Sequence, residues 1–221
     1  MSSFFDLPPA EPEQAPPPHP RYRSKPWHGP PPAVVPAIVA VERVLARTDE
    51  VAVAVPSVEV YPEGLRFEIV AFARPQAEHR PDSGLDPMLF HHRHVPGAVP
   101  DEVLRIGVAF ADGRRATNLE TERGPGDPPA SGIVLRGAGG GGNEGRYAQE
   151  LWVWPVPDEG PLTIVCEWPA HGIPVTRLDV DGDVLRDAAR RAQVVFSEDH
   201  LPAVPEPDPG DRGWSAYVPR G

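Results

Sequence analysis

Proline limits what this chain can fold into more than any other residue, because it lacks the backbone N–H that helix interiors and central strands need. The chain has 32 prolines and 21 glycines among 221 residues, and prolines recur at short intervals near both ends. Such segments bury too little apolar surface to offset the entropy of ordering. We therefore expect disordered Pro-rich tails over residues 1–36 and 197–221 around one domain at residues 37–196. On this interpretation, the domain folds without the first tail.

Between the tails, apolar residues alternate with polar ones at the period of a β-strand. Residues 51–60 and 65–73 flank Pro62-Glu63-Gly64, which is turn chemistry, and this pattern predicts a hairpin. Asp112-Gly113 is a strong signal for a second hairpin. Residues 38–45 fit either a strand or a short helix. The remaining predicted strands cover residues 103–110, 114–119, 132–136, 146–154, 161–168 and 175–180.

A single segment has the apolar spacing of a helix, at residues 183–196. Asp181 or Asp183 supplies a cap for its first turn. Many short strands followed by one helix predict a mainly β fold, which we interpret as an antiparallel immunoglobulin-like β-sandwich with one C-terminal helix. Residues 75–101 and the Gly-rich segment 137–145 are predicted to be loops, the second a flexible connector.

The charge and apolar patterns narrow the functional class. Acidic residues outnumber Lys and Arg by 32 to 21, and the net charge of −11 disfavours nucleic-acid binding. No apolar run is long enough to span a membrane, and no signal peptide is evident, so we expect a cytoplasmic protein. Lys25 is the only lysine, and the wealth of Arg, Ala, Gly and Pro indicates a GC-rich bacterium.

Cysteine and histidine offer few catalytic or metal-binding candidates. Cys166 is the only cysteine and lies within a predicted strand, which favours a buried, inert thiol and excludes an internal disulfide. His91, His92 and His94 form the only histidine cluster, and in an extended segment His92 and His94 point the same way. No third ligand is specified and Arg93 opposes a cation, so we expect no metal, no cofactor and no catalytic residues. The alternative is a metal-assisted hydrolase that uses the His91–His94 cluster.

Tryptophan provides the candidate binding residues. Trp152 and Trp154 stand at alternate positions of one predicted strand, so their side chains share a face, and Trp168 lies on a predicted neighbouring strand. We expect Trp152 and Trp154 to pack in the core between two sheets. The alternative is a surface aromatic platform for a partner or a carbohydrate, formed by Trp152, Trp154 and Trp168.

Four segments carry a resemblance to known sequences: residues 57–67, 110–118, 151–155 and 167–173. Over residues 37–196 the chain resembles a group of uncharacterised small proteins of actinobacteria, a domain of unknown function. The resemblance implies an actinobacterial source and a single domain, and it brings no activity or catalytic residues. The function predicted from the sequence is therefore a non-enzymatic binding or accessory module with an unknown protein partner. A metal-assisted hydrolase and a carbohydrate-binding module are the alternatives.

Overall fold

The computed structural model describes residues 25–74, 99–119, 131–143 and 145–197. These residues form a mainly β fold with one α-helix, as the sequence predicts, and all strand pairs are antiparallel. The strands are β1 (Val34–Val35), β2 (Ala37–Arg47), β3 (Val51–Val60), β4 (Leu65–Ala73), β5 (Arg105–Phe110), β6 (Arg115–Thr117), β7 (Val134–Asn143), β8 (Arg146–Trp154), β9 (Leu162–Trp168), β10 (Ile173–Val180) and β11 (Gln193–Val194). The helix α1 spans Gly182–Arg191, and a 3-10 turn covers Pro169–His171.

The strands form two sheets and a small ribbon. The five-stranded sheet has the order β2-β3-β4-β8-β7, and the four-stranded sheet has the order β10-β9-β5-β6. The strands β1 and β11 pair only with each other. Among the described residues, no helix is long and apolar enough to cross a membrane.

One apolar cluster forms the core and takes side chains from both sheets and from the helix. Every second residue of β4, from Leu65 to Ala71, belongs to it, and every second residue of β9, from Leu162 to Trp168, does so as well. This alternation is the pattern expected of strands with one buried face. Cys166 is fully buried in this cluster, as predicted for an inert thiol.

The predicted hairpins are present. The strands β3 and β4 have the expected bounds, and the Tyr61 N–H donates to the Gly64 carbonyl at 2.9 Å across their turn. In the second hairpin the Asp112 carboxylate accepts from the Arg114 N–H at 2.9 Å, and Gly113 adopts a φ of 90°. The segment that fitted either a strand or a helix is the strand β2.

The Gly-rich segment is a strand rather than the expected flexible connector. Residues 137 and 139–142 are glycines within β7, which pairs with β8 at the edge of the five-stranded sheet. Two of these glycines are needed because the neighbouring strand lies close: a Cβ on Gly140 would lie 2.9 Å from the Ala148 carbonyl oxygen, and a Cβ on Gly142 would lie 2.1 Å from the Arg146 carbonyl oxygen. The side-chain amide of Gln149 on β8 also donates to the Gly139 carbonyl of β7 at 2.5 Å.

The helix is shorter than the predicted residues 183–196. Asp181 caps it by accepting from the Asp183 N–H at 2.8 Å, and it ends at Arg191 because Ala192 leaves the helical conformation. The next residues pair with β1 instead. Only part of the predicted stripe is therefore buried: Leu185 and Ala188 lie in the core, whereas Val184, Val195 and Phe196 are exposed.

Residues 25–36, which the composition assigns to the first tail, contact the rest of the described chain. β1 pairs with β11, and the Val195 N–H donates to the Ala33 carbonyl at 2.8 Å. The Trp152 indole N–H donates to the Pro26 carbonyl at 3.1 Å. We call residues 25–33 the strap.

The crowding at β7 predicts different outcomes for two neighbouring glycines. We expect Gly142→Ala to lower the thermal midpoint, because its methyl group would collide with main-chain atoms of Arg146 and Tyr147. Gly141→Ala is the matched control, since a Cβ there meets nothing within 4 Å, and it should leave the midpoint unchanged or slightly raised. Thermal unfolding followed by circular dichroism checks this. Equal thermal midpoints for the two variants would contradict the close pairing of β7 with β8 at Gly142.

The position of α1 predicts a second contrast. Leu185→Asp should cost several kcal/mol in free energy of unfolding, because the carboxylate would enter the core without a partner. Val184→Asp tests the same change one residue earlier on a side chain that is 44% exposed, and it should cost little. Chemical denaturation of both variants measures the difference. Similar losses would mean that α1 does not pack through Leu185.

Candidate binding surface

The strand β8 directs its tryptophans away from the core. Leu151 and Val153 belong to the core cluster, whereas Trp152 lies outside it. Because alternate side chains of a strand point to opposite faces, Trp152 and Trp154 project from the outer face of the five-stranded sheet. The expectation that these two residues pack between the sheets is therefore wrong.

Trp152 is nevertheless completely buried on this outer face. Its indole N–H donates to the Pro26 carbonyl of the strap, and the Tyr61 ring packs edge-on against it with centroids 5.5 Å apart. Gly64 gives the indole room, because a Cβ there would lie 2.3 Å from an indole ring carbon. Trp152 is thus sealed beneath the strap and the β3–β4 turn.

Trp154 is the accessible member of the two. It is partly exposed, and its ring packs against the partly exposed Trp27 of the strap with centroids 5.6 Å apart and planes inclined by 60°. We call Trp27 and Trp154 the indole pair. Both rings are partly exposed to solvent beside the edge strand β7.

The third predicted tryptophan lies elsewhere. Trp168 belongs to β9 of the four-stranded sheet and is fully buried in the core. Its indole N–H donates to the Glu102 carbonyl at 3.0 Å, and the His171 ring packs edge-on at 4.2 Å. Burial lowers the pKa of His171. The structure therefore brings Trp152 and Trp154 together and separates Trp168 from them.

A lysine, a histidine and an arginine lie near the two tryptophans of the outer face. A turn in the strap, closed by the His28 N–H on the Lys25 carbonyl at 2.9 Å, brings these two residues together. The Lys25 ammonium lies 5.4 Å from the centroid of the Trp27 ring, in a cation–π arrangement. Burial lowers the pKa of His28, and the neighbouring charges of Arg136 and Lys25 lower it further. Arg136 pairs with Trp152 across β7 and β8 and shares its face.

A charged network supports the other side of Trp152. Arg66 donates to Glu59 at 2.6 Å and to Glu150 at 3.0 Å. The Tyr61 hydroxyl donates to the same Glu59 carboxylate at 3.0 Å, and burial is the main cause that raises the pKa of Tyr61 to about 12. This network fixes the Tyr61 ring against Trp152, so the base of the surface is held by contacts from three strands.

Two other candidates from the sequence have different outcomes. The cluster of His91, His92 and His94 lies outside the described residues, so the hydrolase alternative stays a prediction from the sequence. Within the described ranges, no group of three His, Cys, Asp or Glu side chains could hold a metal ion. Burial raises the pKa of the Cys166 thiol to about 11, which leaves almost no thiolate near neutral pH.

The residues that sequence reasoning missed are those of the strap, above all Lys25 and Trp27. A tryptophan followed by His28 inside a Pro-rich stretch is the one signal that sets this stretch apart, since an aromatic residue in a polar tail often docks on a domain. No protein-family model, curated protein or solved structure matches this chain.

The strap contacts predict that a chain beginning at Ala37 is less stable than one beginning at Lys25. The shorter chain loses the partner of the Trp152 N–H, the Trp27 ring and the β1–β11 pairing. We expect its thermal midpoint to fall by more than about 5 °C. Iodide should also quench its remaining tryptophan fluorescence more efficiently, because Trp152 and Trp154 gain exposure. Equal midpoints for the two chains would show that the strap adds no stability.

Proposed function

We propose that this protein is a non-enzymatic binding module that recognises an extended peptide segment of a partner protein at the indole pair. The observation that carries the proposal is the hydrogen bond from Trp152 to the Pro26 carbonyl. Through this bond, the outer face of the five-stranded sheet already holds a proline-containing turn of its own chain. A face that binds one such segment has the chemistry to bind another next to it.

The chemistry of indoles favours a peptide ligand. Tryptophan combines a large apolar face with one N–H donor, and it is enriched at the centres of protein interfaces. Aromatic-lined grooves recognise proline-rich segments because an extended backbone loses little entropy on binding. The Trp152 indole N–H already donates to the strap and its ring is buried, whereas the rings of Trp27 and Trp154 are partly exposed. The indole pair is therefore the part of the surface that a partner can reach.

The setting of Trp154 supports a site that is formed before the ligand arrives. β8 pairs with β4 on one side and β7 on the other, so its backbone is held from both directions. Trp27 packs directly against Trp154 from the strap. A site of this kind avoids the entropic cost of ordering its side chains during binding.

Two finer features belong to the same proposal. We propose that the two sheets form a β-sandwich, because their inner faces share one core. The immunoglobulin-like part of the expectation has less support, since β2, β3 and β4 are consecutive neighbours, unlike the strand order of immunoglobulin sheets. A cytoplasmic location is in keeping with Cys166 as a free, buried thiol.

A peptide array tests the proposal. The probes are short synthetic proline-containing peptides in which the intervening residues are Glu, Gln or Lys. We expect at least one series to bind the wild-type chain and to lose most of its affinity for Trp154→Ala, because the variant lacks one face of the indole pair. The thermal midpoint of the variant should stay within a few degrees of wild type, since Trp154 lies outside the core cluster.

Phe72→Ala is the control. Phe72 is a 40% exposed aromatic residue on the same outer face, and it pairs with Arg146 at the far end of β8, about 27 Å from Trp154 along the strand. It should leave peptide binding unchanged. Peptides that bind both variants equally, or a glycan array on which only carbohydrates show Trp154-dependent binding, would contradict the proposal.

A further inference from the structure

We infer that the partner segment adds as a strand to the outer edge of β7, and that prolines on the C-terminal side of this strand lie at the indole pair. This inference rests on the proposed function and specifies the form of the ligand for the same surface. It is argued from residues 139–142 of β7, which we call the glycine edge, and from the side chain of Gln149.

The glycine edge lacks the features that protect the other edges of the two sheets from strand addition. Proteins usually protect an edge with charges, prolines, bulges or a short strand. Accordingly, β2 has two register shifts, β10 has Pro174 and a register shift, and β6 has three residues. Residues 137–143 of β7 are exposed and include no charge and no proline. Within the described ranges, β7 pairs on one side only, with β8, and the glycine edge pairs there without a register shift.

The fold itself accounts for only two of these four glycines. Gly139 pairs with Glu150, so Gly139 and Gly141 lie on the outer face of the sheet. A Cβ on Gly141 would meet nothing within 4 Å, and a Cβ on Gly139 would meet only the Glu150 carboxylate, at 3.4 Å. Glycine within a strand often marks a place where a ligand or another backbone approaches closely. The outer face of the glycine edge therefore has room for the side chains of an added strand.

A buried amide without its full set of partners lies against the glycine edge. Gln149 is 3% exposed, and its Nε2 donates to the carbonyls of Gly139 at 2.5 Å and Glu150 at 3.0 Å. Its Oε1 has no hydrogen-bond partner in the part of the chain that the structure describes. This atom lies beside Gly140, where a Cβ would come within 2.9 Å of it. Buried acceptors are rarely left unpaired, and a donor on a ligand strand at Gly140 would supply the partner.

The pairing of β7 sets the direction of the ligand. All described strand pairs are antiparallel, which is the more stable arrangement per residue. A strand antiparallel to β7 runs from Asn143 towards Val134, the residue of β7 opposite Trp154. Proline cannot donate to the ladder, so the ligand leaves the edge at its prolines. A strand-forming run followed by proline therefore reaches the indole pair, about 17 Å along β7 from the glycine edge.

Two synthetic peptides of equal composition test this order by calorimetric titration into the full chain. One has alternating Thr and Val residues followed by Pro-Gln-Pro, and the other has the same two halves in reverse order. We expect the first to bind about tenfold more tightly, because only this order lets both halves bind at once. Both should lose affinity for Trp154→Ala.

Methylation of the peptide nitrogens tests the strand pairing. Within an antiparallel pair only every second residue bonds to a given neighbour. N-methyl groups on one alternate set of the Thr-Val half should therefore abolish most of the affinity, whereas the other set should have little effect. In the complex, amide exchange should slow at the glycine edge and stay unchanged at the edge strand β2.

A serine-for-alanine scan of the same half tests the role of Gln149. We expect one position at which Ser binds more tightly than Ala, and Gln149→Met should remove this preference because it lacks the acceptor. A purely structural role for Gln149 would lower both affinities equally.

The outcomes separate this inference from the proposed function. Trp154-dependent binding that is equal for the two orders, or equally sensitive to both methylated sets, would overturn strand addition and leave the proposed function standing. Failure of the Thr-Val peptides while peptides of the array bind through Trp154 would do the same. Failure of every peptide to show Trp154-dependent binding would instead defeat the proposed function itself.

Discussion

The arrangement of this protein depends on how an apolar indole on the outer face of a sheet is kept from water. Trp152 points away from the core yet is completely buried, and the hydrogen bond from its N–H to the Pro26 carbonyl accounts for its polar atom. The strap that supplies this carbonyl also supplies Trp27 and Lys25. Burial of one tryptophan thus determines where the exposed aromatic and cationic groups of the candidate surface lie.

The sequence predicted the strands whose patterns are local. Residues 51–60 and 65–73 were predicted with their observed bounds, because alternation and turn chemistry are both encoded within the hairpin. The Gly-rich strand β7 was missed because glycine has a low strand propensity. Its glycines at 140 and 142 are required by the close approach of β8, which the local sequence does not reveal. The early end of α1 was missed for a similar reason: the residues after it pair with Val34 and Val35, far away along the chain.

The candidate surface was only partly predictable. The spacing of Trp152 and Trp154 placed both on one face, but the choice of face depends on the strap, which composition alone assigned to a tail. Proline and glycine counts measure average propensity and do not register a single contact such as Trp27 on Trp154. Lys25 comes from the strap and Arg136 from β7, so no contiguous sequence motif contains both cations.

Hydrogen exchange of the indole N–H groups, followed by nuclear magnetic resonance, tests the central claim most directly. Trp152 and Trp168 both donate to main-chain carbonyls while fully buried, so both signals should exchange slowly in the full chain. In a chain that begins at Ala37, the Trp152 signal should exchange rapidly while the Trp168 signal stays protected. Rapid exchange of the Trp152 indole in the full chain, or unchanged protection after removal of the strap, would contradict the account.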